Sequence, residues 1–284
     1  MIPAAFDYQR PATLDAALDA ISSADDGVKV LAGGQSLLPL LKLRLASAQT
    51  LVDIGRIEEL GGVRPQPDGG LEIGALATYA EVLDSTKLQI AIEAISHIGD
   101  VQVRNRGTMG GAIAHADPAS DLPALGLALD YSAVLRSRRG ERVVPLGEFF
   151  KGPFETAIEH DELLVAIRRG PLPDGMGGSY QKLAQRASGY SIVGVAAVVA
   201  MHGGAISHVR VALTGVGEVA YRATAVEAGL LGSDGSAQAI SDAASHATDG
   251  VTVNSDIHAD REYRTRMASV YTRRALEAAL GRSA

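Results

Sequence analysis

The sequence predicts an α+β protein in which a longer α/β part precedes a smaller part made of three antiparallel strands and their helices. Three observations lead there. In the opening third, short apolar runs alternate with stretches whose apolar residues fall at helical spacing. At residues 170–178 the stretch GPLPDGMGG gathers two prolines and four glycines, the strongest linker signal in the chain. Beyond it, three strand-like runs follow one another before the chain turns helical. The expected division is therefore 1–174 and 175–284, with the first part subdivided near residue 55.

Residues 6–8 read as a short strand, and Thr13 can cap a helix whose Leu14, Ala17, Leu18 and Ile21 share one face; Asp25, Asp26 and Gly27 end it. Residues 28–32 suit a buried strand, Gly33 and Gly34 turn the chain, and LLPLLKLRL is helical again. Strands are expected at 50–54 and 71–73, separated by the turn-forming PQPDGG. Thr78 can cap a helix over 79–83, and 88–98 continues a helical pattern. Residues 122–129 are apolar, 131–136 and 142–144 alternate around a turn at Gly140, and 163–167 is a further strand. After the linker come strands at 179–183, 192–201 and 206–214, the last two joined across HGGA, then helices at 223–231, 237–247 and 260–280. No repeat interrupts this order.

Composition narrows the chemistry. With 284 residues, 46% of them hydrophobic, the chain can fill real cores, while 4% aromatics and no tryptophan argue against a sandwich built on aromatic anchors. The absence of cysteine removes disulfides, thiolate zinc sites, iron–sulfur ligation and a cysteine nucleophile together, so any such centre must belong to another chain. A net charge of −7 without a long run of either sign argues against a nucleic-acid partner. MIPAAFDYQRP has no signal-peptide pattern and the apolar run 192–201 is too short to span a bilayer, so a cytoplasmic protein without membrane insertion is expected.

Two glycine-rich turns carry the chemical signal. In KVLAGGQSLLPLLKLRL a buried strand meets paired glycines and then a helix, with Ser36 as a candidate N-cap and Pro39 in the first turn, where its missing N–H costs nothing. Such a turn can aim several free backbone N–H groups at a phosphate, and it can equally be an ordinary strand-to-helix turn. It is neither G-x-G-x-x-G nor a P-loop. In RNRGTMGGAIAHADPASD, Thr108, Gly110 and Gly111 repeat the idea, so that two turns together would suit a pyrophosphate. Asp117 before Pro118 reads as the N-cap of a helix with Asp121 one turn inside it. His115 and Asp117 lack a third ligand at a diagnostic spacing, which weakens a metal reading, and Arg104 and Arg106 can face phosphate or pair with surface acids.

AGGQSLLPLLKLRLA followed by VQVRNRGTMGGAIAHADPASDLPAL, with FDYQRPATLDAAL, DELLVAIRRGP, YQKLAQRASGYSIVGVAA and EYRTRMASVYTRRAL around them, resembles the FAD-binding medium subunit of molybdenum hydroxylases, the carbon monoxide dehydrogenase and xanthine dehydrogenase family. The resemblance covers nearly the whole chain. It implies a fold of the vanillyl-alcohol-oxidase type, with an FAD domain in two α/β parts, a smaller domain with a three-stranded antiparallel sheet and helices, and FAD between them. It implies that Ala32, Gly33, Gly34, Gln35 and Ser36 form one pyrophosphate loop and that Thr108, Gly110 and Gly111 form the other. Asp121 then matches the acid that binds FAD hydroxyls or its adenosine end, Leu164 and Lys182 match positions lining the flavin, and Tyr190 matches an aromatic over one ring face. Without the resemblance, Leu164 would read as core, Lys182 as a surface lysine and Tyr190 as a turn residue.

Two departures bear on the substrate. Gln35 stands where the carbon monoxide dehydrogenase branch often has histidine, and Ala112 where an asparagine is frequent; backbone phosphate binding survives both, and the pattern is closer to bacterial N-heterocycle hydroxylases. The cysteine-free sequence sets aside the branch whose flavin subunit carries its own iron–sulfur cluster. The resemblance thus implies an electron-transfer subunit with no catalytic acid, base or metal ligand of its own. Its partners would be a large chain with a molybdenum cofactor and a small chain with two [2Fe-2S] clusters, arranged as a dimer of heterotrimers. The alternatives are a stand-alone flavin oxidase of the same fold and a non-catalytic nucleotide-binding scaffold.

Overall fold

The computed structural model describes residues 2–22 and 27–283, so the acidic pair Asp25 and Asp26, expected to end the first helix, lies outside the described residues. The first unit runs β1 (Asp7–Gln9), α1 (Leu14–Ser22), β2 (Val28–Leu31), α2 (Leu37–Leu43) and β3 (Thr50–Asp53). Its strands form a parallel sheet in the order β1-β3-β2, Thr50 lying opposite both Asp7 and Val28. The expected cap is present: the Thr13 hydroxyl accepts the Ala16 N–H at 3.2 Å. Ala17, Leu18 and Ile21 of α1 are buried with Val52 and Ile54, which places the helix on one face of the sheet.

The second unit comprises β4 (Val63–Pro65), β5 (Leu71–Gly74), α3 (Tyr79–Ser85), α4 (Gln89–Ser96), α5 (Val101–Arg104), α6 (Met109–His115), α7 (Asp121–Ala128), β6 (Ser132–Ser137), β7 (Gly140–Pro145), α8 (Leu146–Phe149), β8 (Phe150–Gly152), β9 (Glu155–Thr156) and β10 (Leu163–Arg169). Here the main sheet is antiparallel, in the order β4-β5-β10-β6-β7, so its topology differs from the parallel first unit; β8 and β9 pair separately. The β6–β7 hairpin closes at Gly140, whose φ of 135° lies where a side chain would be strained. Every residue of α7 is buried, which explains why this segment shows a continuous apolar run instead of an amphipathic pattern.

The third unit contains β11 (Gly177–Ala184), β12 (Ser191–His202), β13 (Ala205–Thr214), β14 (Tyr221–Arg222), α9 (Thr224–Leu230), α10 (Ala237–Ala244) and α11 (Arg261–Leu280). The three expected strands pair antiparallel, and β14 extends them to the order β11-β12-β13-β14; at two residues it is too short to show an alternation. Strand β12 is buried on both faces. Val193, Val195, Ala197 and Val199 face the core that includes Leu276 and Ala279 of α11, whereas Ala196 and Val198 join the core that holds Ile90 of α4 and Leu125 of α7. This second contact seats the third unit directly against α7, whose first residue is Asp121.

Candidate functional site

A cleft of about 620 Å³ opens where the three units meet, and it collects the residues that the sequence singled out. Ala32, Gly33, Gly34, Gln35 and Ser36 line it from the turn after β2, Thr108, Gly110 and Gly111 from the start of α6, Asp121 from the start of α7, Leu164 from β10 and Tyr190 from the loop before β12. Lys182 does not line the cleft; it reaches it only through Asp121.

The first turn offers unsatisfied donors. Gly34 has φ +75°, and among the described residues the N–H groups of Gly34, Gln35, Ser36 and Leu37 find no hydrogen-bond partner, whereas that of Leu38 already bonds to the Gly34 carbonyl. Ser36 occupies the N-cap position of α2 but with helical φ and ψ, and its side chain makes no capping bond; the expected serine cap is absent because an N-cap hydroxyl needs an extended backbone to reach back to the helix N–H groups. Gln35 bends back to its own loop, its Nε2 donating to the Gly33 carbonyl at 3.3 Å. A Cβ on Gly33 would stand 2.1 Å from the Arg106 carbonyl oxygen, so this glycine permits the two turns to pack against each other.

The second turn is built differently. Thr108 caps α6, its hydroxyl accepting the Gly111 N–H at 3.2 Å, while the N–H groups of Met109 and Gly110 bond to the carbonyls of Ala77 and Ala75 at 2.9 and 3.0 Å. These donors are therefore spent inside the protein, and the turn supplies close approach instead of a second set of free N–H groups. Gly110 is needed for that approach, since its Cβ would lie 2.5 Å from that of Ala75. Arg104 makes no ion pair among the described residues; its guanidinium donates to the carbonyls of Ile98 and Gly99 at 3.2 and 3.0 Å.

Asp117 does not start the helix. Its carboxylate accepts the Ala119 N–H at 2.8 Å in a side-chain turn, and α7 begins at Asp121 after Ser120. His115 and Asp117 both line the cleft, yet the His115 ring rests against Phe154 with centroids 5.1 Å apart, and burial holds its imidazole below the ordinary histidine range. No group of three histidine, aspartate or glutamate side chains arranged to hold a metal occurs among the described residues.

At the start of α7, the Asp121 carboxylate is buried and held from the third unit. Its Oδ1 accepts the hydroxyls of Tyr180 and Ser191 at 2.5 and 2.7 Å, and its Oδ2 accepts from Lys182 Nζ at 2.7 Å. Sequence reasoning missed Tyr180 and Ser191; the alternation along YQKLA, which puts Tyr180 and Lys182 on one face, was the available signal. Burial raises the Tyr180 phenol well above its ordinary range, helped by the adjacent carboxylate. Tyr190 is partly exposed at the cleft, and its phenol is also raised by burial and by the charges of Asp117 and Asp121. Glu162 was missed as well: it lines the cleft, while Arg142 binds both its oxygens at 2.6 and 2.7 Å and holds its carboxyl below the ordinary glutamate range.

Comparison with known proteins gives consistent matches over the whole chain. The family model described as the FAD binding domain in molybdopterin dehydrogenase matches residues 4–169, and that of the CO dehydrogenase flavoprotein C-terminal domain matches residues 178–279. The sequence is 38% identical over 288 residues to the carbon monoxide dehydrogenase medium chain of Hydrogenophaga pseudoflava, covering 100% of both. Among solved structures, the fold is similar to carbon monoxide dehydrogenase from that organism at a TM-score of 0.95, with 40% identity over 100% of each chain. It is also similar to quinoline 2-oxidoreductase from Pseudomonas putida 86, with a TM-score of 0.90 and 34% identity over 99% of each chain.

Proposed function

Because this chain belongs to the FAD-binding family of molybdopterin dehydrogenases, we propose that it is the flavin subunit of a heteromeric molybdenum hydroxylase, taking electrons from a partner's [2Fe-2S] clusters and passing them to an external acceptor. The observation that carries the reading is the run of N–H groups from Gly34 to Leu37 that find no partner among the described residues, in residues that line the cleft. A diphosphate requires such donors, and the cleft volume of about 620 Å³ falls within the range of about 300–1,000 Å³ typical of cofactor sites. The donor set therefore fits FAD. When bound, FAD supplies chemistry that links one-electron donors to two-electron acceptors.

The chain's own residues then bind and orient. The backbone of Gly33, Gly34, Gln35 and Ser36, continuing from Ala32, would hold the diphosphate, with Thr108, Gly110 and Gly111 closing the other side. Asp121 would accept from cofactor hydroxyls, Leu164 and Tyr190 would border the ring system, and Lys182 would neutralise Asp121. No protein acid or base is assigned to the electron-transfer step.

The partners in this reading are a large molybdenum-cofactor chain and a small iron–sulfur chain, in a cytoplasmic dimer of heterotrimers. The cysteine-free sequence supports the need for them. The substrate of the whole enzyme would be an N-heterocycle or a related small molecule, as Gln35 suggests, with carbon monoxide as the second reading, favoured by the likeness to the Hydrogenophaga pseudoflava medium chain. A division of the chain near residue 174, with a subdivision near 55, belongs to the same proposal and is supported by family matches that end at 169 and resume at 178.

No helix among the described residues is long and apolar enough to cross a membrane. The purified chain, mixed anaerobically with small alcohols and amines, should leave its flavin oxidised. Bleaching of the flavin by such a substrate, without any other chain, would replace this reading with that of a stand-alone oxidase.

A further inference from the structure

We propose that Tyr180 and Ser191, neither of which reaches the cleft, are positioning residues that hold the Asp121 carboxylate at the cleft wall for a hydroxyl-bearing part of the cofactor. The inference rests on the flavin reading above and goes beyond it by assigning the third unit a part in the binding site.

A carboxylate has about four acceptor sites, and three on Asp121 are filled by Tyr180, Ser191 and Lys182. The remaining site, on Oδ2, belongs to a side chain that lines the cleft. Both hydroxyls converge on Oδ1, so they fix the rotation of the carboxylate and leave the other oxygen for Lys182 and a ligand.

The surrounding strands are shaped for this convergence. Gly194 lies opposite Lys182 in the β11–β12 ladder, and a Cβ there would stand 2.3 Å from the Tyr180 hydroxyl and 2.9 Å from that of Ser191. The missing side chain is the space in which the hydroxyls reach Asp121. The end of β13 also holds the backbone leading to it. The Gly215 N–H donates to the Pro118 carbonyl at 2.7 Å, and the Thr214 hydroxyl lies 2.8 and 2.7 Å from the carbonyls of Pro118 and Ser120.

A purely structural pin would not need this chemistry. An ionised carboxylate is costly to bury, and an apolar side chain at the start of a buried helix would anchor it without that cost. The cost is explained if the carboxylate has to be presented to a ligand.

The test is a thermodynamic cycle on the full chain freed of flavin, read by FAD titration. Tyr180→Phe and Ser191→Ala are each made with Asp121 intact and with Asp121→Ala. With Asp121 present, each should weaken FAD binding on the order of tenfold, the scale of a hydrogen bond to a charged group. Without Asp121, each should change it by less than about twofold, because residues that act through one group are not additive. Equal losses in both backgrounds, or no loss with Asp121 intact, would overturn the proposal. Circular dichroism reports folding; if Asp121→Ala does not fold, Asp121→Asn replaces it, with the same expected contraction of the Tyr180 and Ser191 effects. Unchanged FAD affinity in the Asp121 variant overturns the positioning role and leaves the flavin reading intact, whereas an unaltered chain that binds no FAD overturns the flavin reading itself.

Discussion

A single carbon added at Gly33 would sit 2.1 Å from the Arg106 carbonyl oxygen, and one at Gly110 would sit 2.6 Å from the Ala75 Cα, so in both cases backbone has to move. Overpacking of this kind costs about 1–3 kcal/mol, and here the strain falls on the two turns that face the cleft. Gly33→Val and Gly110→Val should each lose bound flavin, seen as loss of absorbance near about 450 nm, while the third unit keeps its fold by circular dichroism. Undiminished flavin in both variants would contradict the cradle. Both glycines were legible in the sequence, but their reason was not. The sequence suggests room for phosphate, whereas the structure shows that each glycine admits another stretch of the protein's own backbone. Ser36 and Asp117 likewise suggested capping residues; Ser36 has helical backbone angles, and α7 begins only after Ser120, neither of which composition reveals.

Individual elements orient these residues. Helix α3, next to the second turn, begins with a capping box in which the Thr78 hydroxyl accepts the Glu81 N–H at 3.2 Å and Glu81 accepts the Thr78 N–H at 2.7 Å. Thr78→Ala should cost about 1 kcal/mol, measured by denaturant unfolding. The loop entering β10 is held by the Arg142–Glu162 pair, and the arginine lowers the Glu162 carboxyl in the folded state. The resulting stabilisation is fully present above the ordinary glutamate value of 4.5 and is lost as pH falls from there through the lower folded value. Glu162→Gln should therefore be less stable at neutral pH and show a shallower acid loss below that point; an unchanged acid limb in thermal melts would contradict the pairing. Elements defined by nearby residues, such as the Thr78 cap and the Gly140 hairpin, were readable from sequence. Elements defined by distant partners were not: the donors of Met109 and Gly110 are consumed by Ala77 and Ala75, and β14 is a strand only because β13 lies beside it.

At the scale of the whole molecule, the doubly buried β12 and the contacts of Glu93 tie the third unit to the rest. Glu93 of α4 accepts from the Ser179 hydroxyl at 3.1 Å, the Tyr180 N–H at 2.8 Å and the Arg282 guanidinium at 2.6 Å. A ligand bound in the cleft stabilises this folded arrangement by mass action. At a concentration of 100 times its Kd, FAD should raise the unfolding free energy by about 2.7 kcal/mol, and no rise in melting temperature would contradict a folded-state site. A flavin subunit of a molybdenum enzyme should be recovered with its partners when the chain is isolated from its native cells under gentle conditions and its partners, flavin and metals are determined together. The expected result is a yellow complex in which this chain is joined by a larger and a smaller chain, with FAD, molybdenum and iron present in fixed ratio. A colourless chain that purifies alone, without flavin or metal, would contradict it.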